Sequence, residues 1–217
     1  MKLLSEAQAR EALLTGIEFC QRHQLSPNRS GNLSLRCDTG WLITPSGVAN
    51  DHVSASDMVL MPDARSDRGR KPSSEAPMHA AVYERYPDVQ AVVHCHSAWA
   101  VALACLRSPI PAFHYMVAVA GGNDIRCADY ALFGSEQLSN NAMKALQGRK
   151  ACLLANHGQL TIGDSLEQAL ELALEVETLA EQYMKALSIG SPALLSEAEM
   201  ADVHKSFKTY GQNAEQS

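Results

Sequence analysis

A chain of 217 residues, 46% of them hydrophobic and 19% charged, has enough apolar side chains to bury one sizeable core. Its formal net charge of −6 gives no basic footprint for nucleic acid, and its apolar runs are too short and interrupted to span a bilayer. The six cysteines contain no Cys-x-x-Cys spacing, and several fall in apolar strand or helix patterns, so buried free thiols are expected rather than disulfides or a Cys-rich zinc site. The start, Met1-Lys2-Leu3-Leu4-Ser5-Glu6-Ala7, turns acidic and amphipathic at once with no secretory apolar stretch, and the expectation is a cytoplasmic protein.

Ala9, Leu13, Ile17 and Cys20 recur at helical spacing and predict an amphipathic helix over 5–23. Turn chemistry at Asn28-Arg29-Ser30-Gly31 leads into the alternating run Asn32 to Arg36. Trp41-Leu42-Ile43-Thr44 answers it across Asp38-Thr39-Gly40, which predicts a hairpin ended by Pro45-Ser46-Gly47. Further strands are expected at 57–62, 91–96, 113–119, 152–155 and 159–162, and helices at 75–85, 97–106, 134–146 and 165–187. Ser165 reads as the N-cap of the longest helix, which Gly190 and Pro192 stop. Hairpins mixed with helices predict one α/β domain over 1–217, a three-layer α/β/α arrangement with a central, largely antiparallel sheet.

The segment Ala91-Val92-Val93-His94-Cys95-His96-Ser97 carries the strongest chemical signal. Residues two apart on a strand share a face, so His94 and His96 point together while Cys95 points away. Two imidazoles so placed suit zinc or a similar ion. A second apolar strand ends in Asn156-His157-Gly158, and Pro72-Ser73-Ser74-Glu75 opens a helical pattern with a carboxylate. Three histidines and one carboxylate with room for a substrate describe an open catalytic site rather than a closed structural one. Taken one at a time, the same residues have plainer readings. Glu75 suits a helix first turn, Ser74 suits an N-cap, and Asn32 and Gly47 suit turns. His79, one helical turn after Glu75, reads either as a support for the site or, as the plainer reading, a partly exposed helix histidine, and His23, His52 and His204 as solvent-facing.

Several blocks in order, Asn28-x-Ser30-Gly31-Asn32-x-Ser34, Ile43-Thr44-Pro45-Ser46-Gly47, Pro72-Ser73-Ser74-Glu75, His94-x-His96 and His157-Gly158, resemble the class II sugar-phosphate aldolase and adducin-head family. The likeness continues through His114-Tyr115-Met116, Ala120-Gly121-Gly122-Asn123 and Phe207-Lys208-Thr209-Tyr210-Gly211, blocks most similar to its fuculose-phosphate aldolase branch. The resemblance implies a nine-stranded sheet flanked by helices, one zinc ion per subunit, and a homotetramer with active sites between subunits. It implies His94, His96 and His157 as metal ligands, and Glu75 as catalytic acid/base that also touches the metal. Asn32, Ser46, Gly47, Ser73 and Ser74 match the phosphate pocket. Tyr115 and Tyr210 match catalytic tyrosines from a neighbouring chain, whose C-terminal tail (about 200–217) completes the site.

The implied reaction is reversible cleavage of a ketose 1-phosphate, L-fuculose 1-phosphate or a related deoxy-pentulose 1-phosphate, to dihydroxyacetone phosphate and a small aldehyde. A metal Lewis acid spreads the charge left by retro-aldol cleavage, so no Schiff-base lysine is needed, and none sits in a buried strand. The epimerase branch, which acts on L-ribulose 5-phosphate, carries aspartate where this chain has Glu75, and adducin-like binding modules lack the full histidine set. One departure concerns the residue before the third ligand, Asn156 here and histidine in the aldolases compared.

Overall fold

The computed structural model describes residues 3–27 and 30–207. Six α-helices are present among them: α1 (Glu6–Arg22), α2 (Ala76–Arg85), α3 (Ala98–Cys105), α4 (Glu136–Ala145), α5 (Leu166–Ile189) and α6 (Glu197–Phe207). Seven strands, β1 (Asn32–Cys37), β2 (Gly40–Ile43), β3 (Val59–Met61), β4 (Ala91–Cys95), β5 (Arg126–Ala128), β6 (Ala151–Leu154) and β7 (Gly158–Gly163), form one sheet in the order β3-β2-β1-β4-β7-β6-β5. Only β5 and β6 run parallel; the other neighbours pair antiparallel.

Strand periodicity divides the core. Leu33, Leu35, Val93 and Cys95 face α1 and α5, where they meet Leu13, Ile17, Ala169 and Leu170. Val92, Leu154 and Leu160 face the other way, against Met78 and Val82 of α2 and Leu138 and Ala142 of α4. Helices on both faces of the sheet give the expected three layers. Local signals agree with this packing. Ser5 and Gln8 form a reciprocal capping box on α1, and the Ser165 hydroxyl accepts from the Gln168 N–H at the start of α5. All six cysteines are free thiols, four of them buried.

Four expectations need correction. Seven strands pair among the described residues, not nine; isolated bridges such as Pro45 to Pro72 and Ile110 to Ile125 hold loops beside the sheet without extending it. The apolar run at 113–119 is not a strand but a 3₁₀ helix, Tyr115–Ala120, started when the His114 ring accepts from the Met116 N–H. β5 and α6 were not anticipated. β5 is three residues long and paired on one side, too short for a period to show, whereas Ser196 and Glu199 form an N-terminal capping box on α6 that was there to be read. No helix among the described residues is long and apolar enough to cross a membrane.

One buried carboxylate ties the segment before β3 to the loop after it. Asp57 is fully buried, accepts from the Ser54 hydroxyl at 2.6 Å and N–H at 2.9 Å, and meets Arg70 Nε at 2.7 Å. Burial alone would raise its pKa, but the bonds from Ser54 and Arg70 outweigh that and bring it down to about 2. A depressed carboxylate contributes stability that is present above its ordinary pKa and lost as pH falls through the folded value. The urea midpoint should therefore drop between pH 4 and pH 2, and Asp57→Asn should flatten that part of the profile while costing about 1.5–3 kcal/mol at pH 7. An Asp57→Asn profile parallel to the wild type would remove Asp57 from this role.

Candidate active site

The centre of the sheet brings the metal-ligand candidates together. His94 lies on β4, His96 just beyond its end, and His157 in the tight turn between β6 and β7. Asn156 reaches that turn with φ +55, a left-handed conformation asparagine tolerates better than most side chains, and its N–H donates to Ala104 O at 2.9 Å. The three rings form a near-equilateral triangle, with centroids 4.8, 4.8 and 4.9 Å apart and planes at 70–78°. One ligand atom from each lies within 4.8 Å of the others.

Gly158 makes this triangle possible. A Cβ there would stand 2.5 Å from Cys95 O, 2.9 Å from His96 Cδ2 and 3.2 Å from His94 Cε1. The backbone contact cannot be relieved by a rotamer change. We expect Gly158→Ala to fold with a melting temperature several degrees lower and at least about tenfold weaker divalent-metal affinity, read by titration with a competing chelator. Unchanged affinity would show that the turn has slack.

Protonation follows from the partners. His94 Nδ1 donates to the carbonyl of Gln159 at 2.8 Å, which leaves its Nε2 lone pair facing His96 Nε2 at 2.9 Å. Burial, then the fields of His157 and His96, hold the His94 pKa well down; burial also lowers His96, and burial with His96 brings His157 to about 4. All three imidazoles are neutral at physiological pH, the form that binds metal.

Glu75 completes the cluster. It occupies the N-cap position of α2 but makes no capping bond; its carboxyl turns inward, with Oε2 at 3.2 Å from His94 Nε2 and 3.8 Å from His157 Nε2. The first-turn reading of this residue therefore fails. Glu75 is 4% exposed, and neither carboxyl oxygen has a hydrogen-bond partner among the described residues. Burial pushes its pKa up to about 7, against a pull from the Gly134 backbone N–H that falls short of a well-formed hydrogen bond. An unpaired buried carboxylate costs several kcal/mol, and electron pairs from three residues converge here with no donor between His94 and Glu75. A proton or a cation relieves that repulsion, and the donor set, imidazole nitrogens with a carboxylate, fits a divalent ion.

These residues floor one end of a cleft of about 370 Å³. Asn32, Ser46, Gly47, Ser73 and Ser74 all line its wall. Two loops are stitched there, Ser46 N donating to Lys71 O at 2.9 Å and Ser73 N to Thr44 O at 3.2 Å, so the Ser46-Gly47 and Ser73-Ser74 turns face the same space. The Ser73 hydroxyl accepts from Glu75 N at 3.3 Å, while Ser74 is exposed and makes no cap. Asn32 is the register partner of His94 across β1 and β4, which puts both side chains on one face.

Some assignments fall elsewhere. Tyr115 is 49% exposed and lies outside this cleft, on a surface shared with Phe207. Tyr210 lies outside the described residues. Tyr130 and Phe133, exposed aromatic residues at the cleft rim, belong to no motif or period that could have pointed to them. Gly134 follows them at φ +71, where a Cβ would meet Ser74 O at 2.7 Å, so the rim loop rests on the Ser-Ser-Glu turn. His79 was also misjudged: it is fully buried, not partly exposed.

Known proteins share this arrangement of chain and fold. A family model described as Class II Aldolase and Adducin N-terminal domain matches residues 11–184. A 5-methylthioribulose-1-phosphate/5-deoxyribulose-1-phosphate aldolase of Rhodospirillum rubrum is 51% identical over 192 residues, 88% of this chain and 87% of that protein. An L-fuculose phosphate aldolase of Escherichia coli K12 is 43% identical over 210 residues, 96% and 97% of the two chains. A solved structure of an L-fuculose 1-phosphate aldolase superimposes with a TM-score of 0.87 at 39% identity, covering 93% of this chain and 96% of its own. With the fold, the histidine triangle and these matches in agreement, the chain belongs to the class II aldolase and adducin family.

Proposed function

We propose that the protein is a metal-dependent class II aldolase that reversibly cleaves a ketose 1-phosphate to dihydroxyacetone phosphate and a small aldehyde. The observation that carries this is the convergence of three neutral imidazoles and an unpaired carboxyl at one end of a cleft whose other wall offers serine hydroxyls, an asparagine amide and glycine backbone. A chain of net charge −6 must bind a phosphate through local donors, and Asn32, Ser46, Gly47, Ser73 and Ser74 supply them. His94, His96 and His157, with Glu75, hold one zinc ion per subunit, which supplies Lewis-acid polarisation of the substrate carbonyl when bound.

Glu75 performs the proton transfer at carbon. Its carboxyl stands beside the ligand nitrogens with no hydrogen bond to break; beside a bound ion its pKa would fall, so it would serve as an acid once substrate displaces it from the metal. Asn32, opposite His94 on the neighbouring strand, holds the phosphate end so that the carbon to be protonated stays near Glu75. The exposed rings of Tyr130 and Phe133 at the rim suit an apolar aldehyde tail. In a homotetramer, Tyr115 and the tail carrying Tyr210 serve a neighbouring subunit's cleft, where a phenol can protonate the aldehyde-derived oxygen. This fits the exposure of Tyr115 away from its own cleft.

The test is a panel of ketose 1-phosphates, with dihydroxyacetone phosphate detected. Cleavage of a 5-deoxypentulose or 5-methylthiopentulose 1-phosphate in preference to L-fuculose 1-phosphate is the expected order, given the apolar rim and the Rhodospirillum rubrum relative. Release from none of them, with epimerisation of a pentulose 5-phosphate instead, would overturn the proposal.

A further inference from the structure

Behind the phosphate-facing wall lies a row of buried polar groups that the reaction as described does not use. His79 of α2 is fully buried, with Nε2 at 2.6 Å from Asn32 Oδ1 and Nδ1 at 2.6 Å from Ser34 Oγ. Ser34, also fully buried, meets Tyr83 OH at 2.8 Å. Asn32 and Ser34 are two apart on β1 and so share the face that α2 covers, while His79 and Tyr83 are four apart on α2 and share the stripe that meets it. Period 2 on the strand and period 3.6 on the helix bring the four groups into one line.

Donor counting gives the line a direction. Asn32 Oδ1 can only accept, so His79 Nε2 carries the proton and Nδ1 is a lone pair. Ser34 must then donate to Nδ1, and its oxygen accepts from Tyr83 O–H. Each contact in this order is 2.8 Å or shorter. The reverse order would leave Tyr83 O–H donating to Gln90 O at 3.4 Å, and would require the Asn32 amide to be turned over. Burial takes the His79 pKa down to about 3, so the ring is a neutral, fixed tautomer rather than a charge.

We propose that His79 is a positioning residue that orients the Asn32 amide, so that its NH₂ rather than its carbonyl oxygen faces the cleft. An unpartnered asparagine amide reverses about its last torsion at small cost, and in the reversed state an oxygen lone pair confronts the incoming oxyanion. The chain Tyr83 to Ser34 to His79 to Asn32 removes that alternative, because reversal would set an NH₂ against the His79 N–H. Arg36, whose guanidinium lies 4.5 Å from the Tyr83 ring centroid and donates to Tyr83 O and Val89 O, anchors the far end. This rests on Asn32 belonging to the phosphate-binding wall.

The test compares two substitutions of one residue. The glutamine nitrogen can stand in for His79 Nε2 and still donate to Asn32, whereas the asparagine amide stands near Nδ1, where its oxygen can accept from Ser34, and stops short of Asn32. His79→Asn should raise the inhibition constant for inorganic phosphate and the KM for the ketose 1-phosphate about tenfold, with kcat within about twofold, because one charge-assisted bond is lost from binding alone. His79→Gln should recover most of that loss. Equal effects of the two variants, or a fall in kcat with phosphate inhibition unchanged, would overturn the proposal.

Asn32→Ala separates phosphate binding from amide positioning. If it leaves phosphate inhibition unchanged, the phosphate-wall reading fails; if it weakens inhibition while His79→Asn does not, only the positioning role fails. A measurement on the unmodified protein covers poor folding of either variant: long-range ¹H–¹⁵N spectra should show His79 as the Nε2–H tautomer. The Nδ1–H tautomer would overturn the proposal.

Discussion

Replacing His96 with alanine should leave a folded protein that no longer retains metal and no longer turns over. His96 is the candidate of choice because it lies beyond the end of β4 and is only half-buried, so its removal opens no large void, whereas His94 is 1% exposed and braced on Gln159. Metal analysis of the purified protein should give about one divalent ion per chain for the wild type and close to none for the variant. Lewis-acid polarisation supplies several kcal/mol to the transition state, so kcat should fall roughly 10³-fold or more. The melting temperature of the metal-stripped variant should match that of the metal-stripped wild type. A metal-free preparation that still cleaves the substrate would end the metal-dependent reading.

Glu75→Gln separates proton transfer from metal retention. Glutamine is close to isosteric, and with three imidazoles intact the metal content should stay near that of the wild type. Turnover and the exchange of protons at the dihydroxyacetone phosphate carbon should fall together, by roughly 10²–10⁴-fold. Unchanged exchange would take the role away from Glu75. A second readout comes from the metal-stripped proteins. The Glu75 pKa is raised to about 7 by burial, so the folded state holds its proton in a range where the unfolded chain has released it. That stability is fully present below the ordinary value of 4.5 and is lost as pH rises through about 7. The buried histidines, held neutral, act in the opposite direction over the same range, so the Glu75 contribution is read as a difference: between pH 5 and pH 8 the stripped wild type should lose melting temperature relative to stripped Glu75→Gln.

The histidine cluster was legible because strand periodicity alone sets which side chains share a face, and because a glycine after His157 marks a tight turn. The expected opposite pointing of Cys95 holds for the same reason: its thiol is buried with the α1 and α5 side chains. Glu75 could be placed at a helix start but not given its inward turn, since that depends on what lies across from α2. The strand expected at 113–119 failed because Phe113 to Val119 is apolar without a period, and the His114 ring satisfies a backbone N–H that a ladder would otherwise need. His79 shows the limit most clearly. Its position on α2 is readable, but its burial comes from Asn32 and Ser34, which lie 47 and 45 residues earlier in the chain. The register that sets Asn32 opposite His94 is likewise a property of the pairing between β1 and β4, not of either strand alone.

β4 is the middle strand of seven, with β1 and β7 on its two sides. Opening motions in a sheet start at its margins, where β3 and β5 each have a neighbour on one side only, and reach the middle last. His94, Asn32 and the Gly158 turn therefore sit in the part of the molecule whose amide protons should exchange most slowly, at rates approaching that of global unfolding. The rim aromatics Tyr130 and Phe133, by contrast, lie outside the strands and helices, on a loop that Gly134 seats against Ser74. Fraying and repair at the sheet's edges can thus proceed many times over the life of one molecule while the histidine triangle at its centre stays assembled.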